Sequence, residues 1–245
     1  MLHRIAISAF VLIFFATIFL SVDSLIIVTE SATLPTDFED VLVASVGAPT
    51  ALAFTPDGRL LITTQQGQLR VYQSGSLLAT PAVNLSSRLC TNSERGLHGV
   101  AVDPNFAANR YVYFYYSFNK TGTCNSTAVN RVARFVLADN NTIDTTTETV
   151  LIDNSHSPAG NHNGGDIHFG KDGLLYISVG DGGCDYANNS GCAGANDAAR
   201  DRHVMVGKIL RVTRDGAIPP SNPFQGSDSG RCNITGSTTS GNWCQ

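Results

Sequence analysis

Asn161-His162-Asn163-Gly164-Gly165-Asp166 and, beyond one short strand from Leu174 to Val179, Gly180-Asp181-Gly182-Gly183 bring together the residue types that proton chemistry needs. An imidazole titrates near neutrality, and a carboxylate within reach can orient it and favour its charged form as a proton arrives. His162 and Asp181 end opposite sides of a single hairpin, so they can meet on one rim, where proton transfer could occur. The glycines around them allow sharp turns and the close approach of a flat ligand to the main chain. Asn161, Asn163, Gly164 and Gly182 flank this pair, and Gly170-Lys171-Asp172-Gly173 turns the hairpin that carries it.

Positioning such a rim calls for strands. A local pattern returns three times: Leu52-Ala53-Phe54-Thr55-Pro56-Asp57-Gly58 before Arg59 to Thr63, Gly99 to Asn105 before Tyr111 to Tyr115, and Asp166 to Gly173 before Leu174 to Ser178. Each copy reads as strand, Pro/Asp/Gly turn, strand, with apolar residues alternating at period two. Phe54 and Val102 are 48 residues apart, and Val102 and Phe169 are 67 apart, the longer interval leaving room for a loop around Cys124. Small antiparallel sheets recurring at roughly 40–50 residues predict an all-β propeller of four-stranded blades, with about four blades in residues 38 to 245. Further strands are expected at Gly67 to Tyr72, Val129 to Val136, Thr149 to Ile152 and Lys208 to Thr213. A ring of blades must join its ends, so the count predicts the N-terminal portion of a longer propeller.

The 245 residues are 42% hydrophobic, enough for a full core, and only 15% charged with a formal balance of −4, which argues against a nucleic-acid partner. Arg4 followed by the uncharged run Ile5 to Val22 reads as a signal peptide over residues 1–24, with a retained membrane anchor as the alternative, before a linker at 25–37. Six cysteines without metal-type spacing suit disulfides in an exported protein; Cys184–Cys192 and Cys232–Cys244 would close short loops, leaving Cys90–Cys124. Asn84, Asn119, Asn125, Asn140, Asn188 and Asn233 begin N-x-S/T sequons, consistent with a secreted glycoprotein. His168 alternates with Ile167 and Phe169 and is expected to face a neighbouring blade or solvent; His203 reads as structural, and the aromatics from Tyr111 to Tyr116 read as strand core. Asp181 to Asp185 lacks the regular oxygen alternation of a calcium loop.

Four segments carry a resemblance to the glucose/sorbosone dehydrogenase family, soluble aldose dehydrogenases built as six-bladed propellers: Leu52 to Thr63, Glu94-Arg95-Gly96-Leu97-His98-Gly99 through Phe106, Asn161 to Gly183, and Gly207-Lys208-Ile209-Leu210-Arg211-Val212. The resemblance implies pyrroloquinoline quinone as cofactor and an aldose oxidised at its anomeric carbon, with hydride passing to the quinone and an external electron acceptor. It places His162 on the general base and Asp181 on its partner, gives Glu94 a polar contact to cofactor or substrate, and puts Asn161 and Asn163 on the same rim. It also implies calcium, with ligands beyond Gln245, together with a cationic contact to the quinone there. At His98 the family usually has Leu. A binding propeller resembling the Hedgehog-interacting protein, without catalysis, is the alternative; a calcium-dependent lactonase-type propeller would not be expected to carry both glycine motifs.

Overall fold

A computed structural model of the chain describes residues 34–124, 127–157, 160–182, 199 and 205–223. The leader, the cysteines at 184, 192, 232 and 244, His203, and the sequons at 125, 188 and 233 lie outside the described residues. All the strands lie in the compact unit that begins at Val43.

The repeated hairpins form as their turn chemistry dictates. Between β1 (Pro49–Phe54) and β2 (Leu60–Thr64), Thr55 N–H bonds Arg59 O at 2.9 Å and Gly58 N–H bonds Thr55 O at 2.9 Å, with Gly58 at a φ of 85°. The same pair of bonds, Gly170 to Leu174 and Gly173 to Gly170, both 2.9 Å, closes the turn between β10 (Gly164–Phe169) and β11 (Leu175–Val179). In the middle copy the extra residues fold into one helical turn, α1 (Phe106–Asn109), between β6 (Leu97–Val102) and β7 (Tyr111–Phe118).

Three antiparallel sheets result. The first runs β1, β2, β3 (Gln68–Gln73), β4 (Ser76–Leu77), with β5 (Val83–Asn84) also on β3; the second runs β6, β7, β8 (Val129–Val136), β9 (Thr149–His156); the third runs β10, β11, β12 (Lys208–Val212). The chain is thus a nearly all-β propeller segment, with three antiparallel blades among the described residues. The middle blade is the longest: its strands reach eight residues, and the link from β8 to β9 carries a 3-10 turn at Thr145–Thr147. The expected strands are present, with β9 four residues longer than predicted and β4 and β5 not anticipated.

β7 explains how the blades hold together. Its Val112, Phe114 and Tyr116 enter the core shared with the first sheet, while Tyr113 and Tyr115 enter the core shared with the third. A strand covered on both faces reads as an unbroken apolar run. Tyr113 to Tyr116 are all buried to 1% exposure or less, as the reading of a strand core anticipates. The first strands β1, β6 and β10 lie side by side, and each has a register break near its start, at Pro49/Ala51, Leu97/Gly99 and Gly164/Ile167. Bulges of this kind re-aim the residues beside them, and His162 sits just ahead of the third.

Candidate active site

Two loops and a turn converge at the start of β10. The turn 160–163 brings in His162, the segment after β11 brings in Asp181, and the loop between β5 and β6 brings in Glu94. His162 adopts a left-handed φ of 52°, an uncommon conformation for a residue with a Cβ. The main chain around it is pinned on several sides: Glu94 Oε2 accepts from His162 N–H at 2.8 Å, Gly182 N–H donates to His162 O at 3.1 Å, and Gly180 N–H donates to Asn163 O at 3.2 Å.

With the turn fixed, His162 Nδ1 lies 2.9 Å from Asp181 Oδ1. The side chains are 44% and 28% exposed, so the pair sits on an open rim. A carboxylate only accepts hydrogen bonds, so in the neutral ring Nδ1 carries the proton and Nε2 keeps its lone pair. This is the arrangement of a base: one nitrogen oriented by a carboxylate, the other able to take a proton from something bound above it. Asn161 stands beside it with Oδ1 buried and without a hydrogen-bond partner, an acceptor that lacks a donor.

The remaining candidates divide differently from the sequence expectation. Glu94, Asn161, His162 and Asp181 form the rim. Asn163, expected on the same rim, is 3% exposed, with its side chain turned inward to Ser157, Asn130 and Gly160. Gly182 is buried and its N–H is engaged by His162 O. The glycines serve approach of chain to chain rather than of a ligand to the chain. A Cβ on Gly180 would stand 1.9 Å from His162 O, one on Gly164 2.5 Å from Gly180 N, and one on Gly99 2.0 Å from Gly165 O. Gly164 itself remains exposed, but its Cβ direction is filled by Gly180.

Beneath the rim lies a set of polar side chains that residue type alone hardly marks. Arg95, 2% exposed, donates from Nε to Ser157 Oγ at 3.2 Å, from Nη1 to Asn92 Oδ1 at 3.3 Å, and from Nη2 to Ser157 O. Burial lowers its pKa. His98 meets Ser117 Oγ at 3.0 Å and the edge of the Tyr115 ring; burial lowers its pKa to about 4, against an upward pull from Glu94. The one available signal was a neutral polar residue within a strand rich in Val and Arg, at Asn130 between Val129 and Arg131.

His168 faces solvent and pairs with Asp166 at 2.9 Å, away from the rim. Cys90 and Cys124 form the expected disulfide. No group of three or more His, Cys, Asp or Glu side chains suited to a metal occurs among the described residues.

Comparison with known proteins agrees with this architecture. The sequence profile of the family described as Glucose / Sorbosone dehydrogenase matches residues 46–237. Aldose sugar dehydrogenase YliI of Escherichia coli is 32% identical over 200 residues, 80% of this chain and 49% of that protein. Among solved structures, a putative oxidoreductase (glucose dehydrogenase) of Thermus thermophilus superposes with a TM-score of 0.62 at 34% identity, covering 77% of this chain and 51% of that one. The PQQ-bound aldose sugar dehydrogenase of Streptomyces coelicolor gives a TM-score of 0.60 at 27% identity, covering 76% and 51%. The chain spans 40 to 49% of the length of the curated relatives it matches first.

Proposed function

Because the chain belongs to the glucose/sorbosone dehydrogenase family, we propose that it supplies the proton-accepting side of an exported aldose dehydrogenase that works with pyrroloquinoline quinone. The observation that carries this reading is the His162–Asp181 contact of 2.9 Å with Nε2 left open on the rim. In the proposed step, Nε2 of His162 removes the proton from the anomeric hydroxyl. The C–H bond at that carbon then breaks with its electron pair, the C–O bond becomes a carbonyl, and a lactone is formed. Bound quinone would supply the two-electron acceptor for the hydride, to be reoxidised by an external acceptor. Asp181 holds the ring and stabilises the imidazolium as it forms.

The described residues fit one side of such a cofactor. Asn161 Oδ1, buried and lacking a donor, suits the ring N–H of the quinone. Glu94 is exposed beside His162 and can accept from a sugar hydroxyl. Arg95, next to Glu94 in sequence, is buried and engaged with Ser157 and Asn92, so it is not the cationic contact that the resemblance implies. Calcium and that contact remain assigned to residues outside those described.

Export is part of the proposal. Among the described sequons, Asn84 and Asn140 are exposed, whereas Asn119 is half-buried with Oδ1 inaccessible and without a partner. The chain with its own leader, expressed in a secreting eukaryotic host, is expected in the medium with glycan on Asn140 and none on Asn119. Within a propeller that also carries those further residues, loaded with quinone and calcium, dye-linked aldose oxidation should fall by roughly 10²–10⁴-fold on His162→Ala. Equal rates in the two proteins, or a chain retained unprocessed in the cell, would remove the corresponding half of the proposal.

A further inference from the structure

The direction of every hydrogen bond beneath the rim can be worked out from one carbonyl. Asn163 lies 3.2 Å from Gly160 O, which only accepts, so the side-chain atom facing it is Nδ2. Oδ1 therefore points the other way, toward Asn130 at 3.2 Å and Ser157 Oγ at 2.6 Å. Asn130 must present Nδ2 to it, which turns Asn130 Oδ1 toward Ser117 Oγ at 2.9 Å. The single Ser117 proton is spent on that bond, so His98 Nε2, 3.0 Å away, is a donor. On the other side Ser157 spends its proton on Asn163 and accepts from Arg95 Nε at 3.2 Å.

Two chains of donors, one starting at His98 and one at the Arg95 guanidinium, thus converge on a single oxygen. Asn163 O is also filled twice, by Tyr115 Oη at 2.7 Å and Gly180 N at 3.2 Å. With Oδ1 and the carbonyl oxygen each accepting twice and the residue 3% exposed, Asn163 offers its side chain to the support and not to a ligand on the rim. It follows His162 directly, where the main chain takes a left-handed turn that the imidazole needs in order to face Asp181.

We infer that Asn163 is the positioning residue of the base: the network converging on its Oδ1 fixes the turn at His162 and keeps Nδ1 on Asp181. The inference rests on the reading of His162 as the base, and it moves Asn163 from the cofactor surface to the support under it. The network is directional, so its loss has a signature apart from lower stability. When the turn relaxes, the ring no longer has to donate from Nδ1, and the proton can occupy Nε2, the nitrogen that must be bare for catalysis.

The test is the tautomer of His162, read from imidazole ¹⁵N shifts of the full chain at a pH where the ring is neutral, in wild type, Asn163→Leu, Ser157→Ala and Asp181→Asn. Wild type should show Nδ1–H alone. Asn163→Leu should give a mixture with Nε2–H, and Ser157→Ala, which removes one of the two donors to Oδ1, a smaller admixture that Ser157→Thr reverses. Should Asn163→Leu not fold, the Ser157 pair decides. In quinone-loaded enzyme the same changes should lower kcat by roughly 10- to 100-fold with KM nearly kept, as misplacement of a reacting group does. Nδ1–H retained in the Asn163 and Ser157 variants but lost in Asp181→Asn would overturn the positioning role and leave the base intact. Nδ1–H retained in all of them would overturn the His162–Asp181 pair itself.

Discussion

At the scale of single residues, the chain places a cost under its own site. His98, half-buried beneath Glu94, is a side chain there that can be charged. Burial lowers its pKa from 6.5 to about 4. The sign follows from which state binds the proton: between those values the unfolded chain holds it and the folded chain does not. His98 therefore costs nothing above about pH 6.5, and stability is lost as pH falls from there toward 4. The shift sets an upper bound of about 3 kcal/mol on that loss. Urea midpoints measured at pH 7.5 and 4.5 should fall further for wild type than for His98→Leu. Parallel falls would show that His98 is solvated in the folded chain.

At the scale of elements, the loop that carries Glu94 is held from two directions. Glu94 N–H bonds Gly160 O at 3.0 Å, and four residues earlier Cys90 N–H bonds Ser117 O at 2.9 Å while its sulfur joins Cys124 across 34 residues of sequence. Closing a loop of that length restricts the unfolded chain by about 3–4 kcal/mol. Replacing both cysteines by serine should lower unfolding free energy by that order, measured by denaturant titration, whereas a change under about 1 kcal/mol would mean that the loop is held by its backbone bonds alone. The hairpins themselves were legible in the sequence because Thr55 to Gly58 and Gly170 to Gly173 combine turn residues with period-two flanks. The end of β9 was not, because Asp153-Asn154-Ser155 breaks the apolar alternation; the ladder to β8 and the Arg131–Asp153 ion pair at 2.6 Å hold those residues in the strand. His162, Asp181 and Glu94 could be picked out by residue type. The support beneath them could not, since Arg95 meets Ser157 and Asn130 meets Asn163 across 62 and 33 residues of chain, and nothing in Ser or Asn alone marks such a partner.

At the scale of the molecule, the three blades differ in how their faces are covered. The middle blade is buried on both sides by its neighbours. The first blade packs Ala51 and Ala53 against that core but leaves Leu52 59% and Phe54 72% exposed on its outward face. The third blade's outward face is more polar: Asp166 and His168 pair there at 73% and 69% side-chain exposure and Arg211 reaches Asp172 at 3.7 Å, with Ile209 on β12 its exposed apolar residue. In a closed ring each of these faces has a blade against it. Among the described residues, the first blade thus presents an apolar face and the third a more polar one, which match each other poorly. Like-to-like contact through the apolar face of the first blade is then the favoured association, a closed two-fold arrangement rather than an open chain of copies. Light scattering across a concentration series should show dimer at micromolar protein, and Phe54→Lys, a change at an exposed position, should return it to monomer with the thermal midpoint nearly unchanged. A wild-type chain that stays monomeric throughout would mean that Leu52 and Phe54 are covered within the chain. A series that grows beyond dimer and ignores Phe54→Lys would place the contact on unpaired strand edges instead.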